Sequence, residues 1–91
     1  DEKTKYLLET ARAEVIRDWS GRQFVDLLGT ALGTVAYGAN IGDFRYWVEV
    51  LKLDQSSAWV HLRIQIAAHD GTSHLRGFDL LVHSDGQHRV V

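Results

Sequence analysis

The residues best suited to chemistry are five histidines, His61, His69, His74, His83 and His88, set among twelve carboxylates in 91 residues. Zinc sites place their ligands at short fixed intervals. These spacings match none of them, and the alternation of the strands scatters the histidines over both faces and two turns, so no metal and no cofactor are expected. Thiolate chemistry and disulfides are excluded because cysteine is absent. Gly29-Thr-Ala-Leu-Gly33 and Gly38-Ala-Asn-Ile-Gly42 look like phosphate loops, yet neither follows a strand nor carries the lysine that such a loop needs. They read as helix-packing glycines and a plain loop. His61 and Asp79 fall beside one another on the outside of a sheet and read as a surface pair worth little, in preference to a titrating switch.

The elements that must position these groups are read most clearly in the last third of the chain. Val60, Leu62, Ile64, Ile66 and Ala68 alternate with Trp59, His61, Arg63, Gln65 and Ala67, the pattern of a half-buried strand. Asp70-Gly71 and Ser84-Asp85-Gly86 separate it from strands at about 73–83 and 87–91. A two-residue Asp70-Gly71 turn would set Asp79 opposite Leu62 on the apolar face. A three-residue loop, His69-Asp70-Gly71, with Gly71 in the left-handed position, sets Phe78 against Leu62 and Leu80 against Val60, and is preferred because it keeps one face apolar. The last hairpin then pairs Leu80 with Val90 and Val82 with His88.

Upstream, Leu8, Ala11, Val15 and Trp19 share one stripe of a helix over 2–19. Ser20 and Gln23 suit a capping box for a second helix burying Phe24, Leu27, Leu28 and Ala31. A short break and a further helical turn through Val35 to Tyr37 are expected, with Gly38–Gly42 as a loop. Phe44 to Leu53 reads as a strand, with Phe44, Tyr46, Val48 and Val50 inside and Arg45, Trp47, Glu49, Leu51 and Leu53 outside. A Gln55-Ser56-Ser57 loop would pair Glu49 with Arg63 and Leu53 with Trp59. The expected architecture is α+β: two or three helices within about 2–37, packed on one face of a curled four-stranded antiparallel meander at about 44–53, 59–68, 73–83 and 87–91. Residues 1–91 make one small domain.

A net charge of −2 gives no electrostatic reason to expect nucleic acid or an anionic membrane. No stretch is long and apolar enough to span a bilayer, and none reads as a signal peptide. Methionine is absent even at position 1, the mark of a domain from a longer protein, whose targeting or membrane-tethering segment would lie outside it. The compartment is left open.

Helices followed by antiparallel strands ending in Ser84-Asp85-Gly86-Gln87-His88-Arg89-Val90-Val91 resemble the nuclear transport factor 2-like (cystatin-like α+β) superfamily. Ala13-Glu14, Trp19, Leu27-Leu28-Gly29 and Tyr46-Trp47 resemble, within it, the intermembrane-space domain of the plastid-division protein family descended from cyanobacterial cell-division factors. His88 stands where that superfamily usually carries tryptophan. The resemblance implies a sheet curled into a cone, used by some members for isomerase or epoxide hydrolase chemistry and by others only for binding proteins.

On the register above, the polar residues facing inward are Tyr46, Lys52, His74, Arg76 and His88, with no histidine dyad and no carboxylate. An acid–base enzyme would want such a carboxylate, so no catalytic residue is assigned. The outer face instead gathers Leu51, Leu53, Trp59, Leu81 and Val91, where alternation alone would give polar residues. The expectation is therefore a non-catalytic domain whose outer face binds a protein partner or a second copy of itself. The alternative is a small-molecule carrier or an isomerase- or hydrolase-type enzyme with Tyr37, Tyr46 and His88 lining the cone.

Overall fold

The structure is a computed structural model that describes residues 1–30 and 33–91. Helix α1 spans Glu2–Ser20 and α2 spans Phe24–Gly29. Five strands follow, β1 Gly33–Ile41, β2 Phe44–Gln55, β3 Trp59–Ala68, β4 Phe78–His83 and β5 His88–Val90, in one antiparallel sheet of order β1-β2-β3-β4-β5. The α+β architecture is as the alternation implies, with one strand more than expected.

Helix α1 starts where the Asp1 carboxylate accepts the Thr4 amide at 2.8 Å, satisfying one of the orphan donors of the first turn. Its stripe of Leu8, Ala11, Val15 and Trp19 is buried as the helical period requires. That stripe lies chiefly across β1, β2 and β3. Val48, Val60, Ile64 and Leu80 meet it from the sheet and are fully buried. The expected capping box does not form. Ser20 is still inside α1, where its hydroxyl reaches back to the Arg17 carbonyl, and Gln23 precedes α2 without a side-chain cap. Leu27 is buried and Phe24 and Leu28 pack at the core edge, while Ala31 lies outside the described residues.

The helical turn expected at Val35–Tyr37 and the loop expected at Gly38–Gly42 are instead one strand. Val35, Tyr37, Ala39 and Ile41 alternate along β1, opposite Val50, Val48, Tyr46 and Phe44. Only Gly42-Asp43 turns the chain, with Gly42 at φ +56°, as a two-residue hairpin with glycine first demands. Gly38 is not a loop residue. It lies opposite Trp47, and a Cβ there would stand 3.4 Å from the indole ring.

Two registers differ from expectation by two residues. Glu49 pairs with Gln65 and Leu51 with Arg63, and Leu53 is an extra residue bulged between Lys52 and Asp54 rather than a partner of Trp59. The turn itself lies at Ser57-Ala58, where the Ser56 hydroxyl accepts the amides of Ala58 and Trp59. Leu62 pairs with Leu80 and Ile64 with Phe78, because the β3–β4 loop is longer than three residues. Asp70 accepts the Thr72 amide and hydroxyl, stretching that loop to Ser73, and Gly71 holds φ +77° inside it. An even slip leaves each paired side chain of β3 and β4 on its own face, so Val60, Leu62, Ile64, Phe78, Leu80 and Val82 are buried as expected. Residues 74–77 keep only the isolated bridge of His74 to Ala67 before β4 begins at Phe78. The β4–β5 pairs, Leu80 with Val90 and Val82 with His88, are as expected, with Gly86 at φ +90°.

Lys52 is the one charged side chain in the core described here, 5% exposed. Its ammonium donates to the carbonyls of Leu27 at 2.7 Å, Leu28 at 3.1 Å and Thr30. These are end groups of a helix of six residues, too short to persist without tertiary support. Lys52→Met keeps the aliphatic stem and removes the donor. Leaving those carbonyls unpaired is expected to cost about 2–4 kcal/mol, measured as a lower urea midpoint at an unchanged slope; a loss below about 0.5 kcal/mol would show that the carbonyls find other partners.

Candidate interaction face

With both helices on one side of the sheet, the opposite face is bare among the described residues. Alternation sends to it Thr34, Ala36, Gly38 and Asn40 from β1 and Arg45, Trp47, Glu49 and Leu51 from β2. Strand β3 adds Trp59, His61, Arg63, Gln65 and Ala67, and β4 adds Asp79, Leu81 and His83.

At the centre of this face Asp79 gathers two side chains, Arg63 and His61. Arg63 donates from Nε to Oδ1 at 2.8 Å and from Nη2 to Oδ2 at 3.3 Å, and His61 Nε2 lies 2.9 Å from the same Oδ2. Arg63 lies directly across from Asp79, while His61 reaches it on the diagonal. The Arg63 hydrogen bond, then the His61 one, holds the Asp79 carboxyl below its usual range, outweighing partial burial. The sequence pattern anticipated the His61–Asp79 pair but missed Arg63, whose assigned partner was Glu49.

The apolar residues expected to form one patch are arranged around this network rather than in contact as a block. Leu51 is paired with Arg63, Leu81 with His61 and Arg89, and Trp59 with His83; all three are half-buried. Leu53 stands on the β2 bulge, and Val91, 70% exposed, lies just past β5 with its amide on the Asp79 carbonyl. Trp47 is the member that pattern reading left out. It is 46% exposed, covers Gly38 and stacks on His69 with centroids 5.2 Å apart. Its outward parity on β2 was the available signal. Beside it an open cleft of about 680 Å³, bordered by Trp47, Glu49, Gln65, His74 and Arg76, marks where the chain separates from β3 ahead of β4.

The alternative set is divided. Tyr37 and Tyr46 do meet on the helix side, lining a hollow of about 150 Å³ with Glu14 and Asp18. His88 is exposed on β5, at the other edge of the sheet. Burial pushes both phenols up, reinforced at Tyr46 by the Glu14 charge and opposed at Tyr37 by the hydrogen bond its oxygen accepts from Trp19 Nε1 at 2.8 Å. Both therefore stay protonated near neutrality and supply no base. The void beside Lys52 is about 20 Å³, room for about one water. His74 and Arg76, expected inside, are exposed because the extra residue between His74 and Phe78 turns that segment.

Among the described residues no group of three or more histidines and carboxylates converges to hold a metal, and no helix is long and apolar enough to cross a membrane. No family model, no curated protein and no solved structure matches the chain.

Asp79 has a pH signature. Its folded value lies below the unfolded one, so its contribution to stability is complete above the unfolded value near 3.9 and is lost as pH falls through the folded value. Between pH 7 and about pH 2.5, Asp79→Asn is expected to lose less urea stability than the parent chain. Equal losses would mean that Asp79 does not carry this dependence.

Proposed function

We propose that this chain is a non-catalytic interaction and oligomerisation domain of a larger protein, docking a partner chain or a second copy on the outer face of its sheet. The observation that carries the reading is the division of labour between the two faces. Helices cover one side completely enough to bury Val48, Val60, Ile64 and Leu80. The other side, uncovered, presents Trp47, Leu51, Leu53, Trp59 and Leu81 around the hydrogen-bonded Arg63–Asp79–His61 centre. Aromatic and aliphatic side chains surrounding paired charges are what a partner surface uses, the first for anchoring and the second for orientation.

The resemblance to nuclear transport factor 2-like proteins that bind other proteins agrees with this reading. A carrier or enzyme would use an open interior with convergent polar groups. Here the two interior tyrosines are protonated and stand apart from His88.

The test is chemical crosslinking of the purified chain in extract from its source. The parent chain is expected to give a discrete adduct with a protein, or with itself, that Trp59→Arg and Leu81→Glu each weaken tenfold or more. Tyr6→Arg, on the solvent side of α1, is expected to leave the adduct intact, and all variants to keep the parent far-ultraviolet circular dichroism. In folded protein, the absence of any adduct that these two outer-face substitutions weaken overturns the assignment.

A further inference from the structure

Strand β1 is an edge. Its hydrogen-bonded neighbour is β2, and its other side faces solvent among the described residues. The two-residue turn makes Ile41 and Phe44 a hydrogen-bonded pair, so by the antiparallel alternation Ile41, Ala39, Tyr37, Val35 and Gly33 spend their amides and carbonyls on β2. Thr34, Ala36, Gly38 and Asn40 point theirs outward. These four are exposed and, among the described residues, form a regular row of donors and acceptors without a backbone partner.

Edge strands are normally blunted by lysine, proline, a bulge or extreme shortness. Strand β1 has none of these: its nine residues, GTVAYGANI, carry no charge and no proline, and the bulge of the β1–β2–β3 region is in β2. The opposite edge is defended. Strand β5 has three residues, with His88 and Arg89 among them. The sheet thus offers one open edge and one closed edge.

We infer that β1 pairs edge to edge with β1 of a second copy of this chain, antiparallel about a two-fold axis, making one continuous sheet across two molecules. The choice of a second copy follows from charge and symmetry. A two-fold pair sets a strand against its own sequence, so a strand carrying one sign of charge would repel itself. An uncharged strand does not. Full overlap of 33–41 centres the axis on Tyr37. Thr34 then lies opposite Asn40 of the second copy, Ala36 opposite Gly38, and Val35 opposite Ala39, with about eight backbone hydrogen bonds formed by residues that now have none across the edge. Faces are conserved: Thr34–Asn40 and Ala36–Gly38 lie on the outer side, while Val35, 43% exposed at the edge of the helix side, gains an apolar neighbour. Because the β5 edge is closed, pairing ends at two molecules instead of growing into a filament.

One strand pair buries less than a standard interface, so micromolar affinity is expected and the experiment runs at about 100 µM. Native mass spectrometry and sedimentation velocity of the purified chain should find a species of twice 10.3 kDa. Thr34→Lys with Asn40→Lys places like charges opposite one another in this register and should weaken the dimer at least tenfold. Thr34→Lys with Asn40→Glu places opposite charges there and should keep it. Both double variants lose the exposed Asn40 contact to the Gly42 carbonyl equally; because residue 40 also lies opposite Arg45 in its own chain, the comparison is read between variants whose urea midpoints and far-ultraviolet spectra show β1 kept in place. Ala36→Pro, which removes an outward amide and none directed to β2, should also give monomer with an unchanged far-ultraviolet spectrum. Trp59→Arg should leave this dimer intact, which separates it from docking on the outer face. A parent chain that stays monomeric at 100 µM, a dimer indifferent to the charge arrangement at 34 and 40, or a dimer lost with Trp59→Arg would each overturn the inference.

Discussion

The hydrogen bonds from Lys52 to the end of α2 fix how the helical layer meets the sheet. A lysine in a core is tolerated where its three donors are matched, and here three backbone carbonyls match them. The arrangement ties the end of a six-residue helix to the middle of the sheet, at a strand that has neighbours on both sides. Tyr37 meets Trp19 by hydrogen bond and ring contact, which closes the other end of the layer. Polar contacts so placed specify which elements meet, while Leu8, Ala11, Val15 and the inward residues of β2–β4 supply the burial.

Face assignment was legible in the sequence because it depends only on parity. Val48, Val50, Val60, Leu62, Ile64, Leu80 and Val82 lie inward as their alternation implies. Register was less legible, because it depends on turn geometry. The Asp70 side chain lengthened one loop and the Leu53 bulge altered the other hairpin, neither of which alternation reports. Strand β1 was missed for a related reason. Its glycines were taken as signs of a break, when one of them, Gly38, makes room for the ring of Trp47 across the hairpin. In Gly42 the same residue type does turn the chain, through its positive φ.

The candidate face inherits both successes and misses. Its residues could be named from parity, and so could the neighbourhood of His61 and Asp79. The apolar continuity inferred for Leu51, Trp59 and Leu81 depended on pairings two residues away from the actual ones, and Arg63 lies where that continuity was expected. Trp47 was known to face outward, but its partners Gly38 and His69 required β1 and the β3–β4 loop to be placed first. Interior chemistry was least legible. His88 was placed by a correct register, yet all three residues of β5 are exposed, so facing inward there still means facing solvent.

The order β1-β2-β3-β4-β5 also bears on how quickly the molecule can form. Every strand pairs with its neighbour in sequence, so each pairing closes a short loop and none waits for a distant partner. Contacts of low sequence separation favour rapid folding, and this meander has a lower contact order than a Greek-key sheet of equal size. The long-range step is the seating of α1, since Arg12 must cross to Phe78, near the far end of the chain. The rate of the whole is therefore governed by the closing of the helix over a sheet whose hairpins can each form locally.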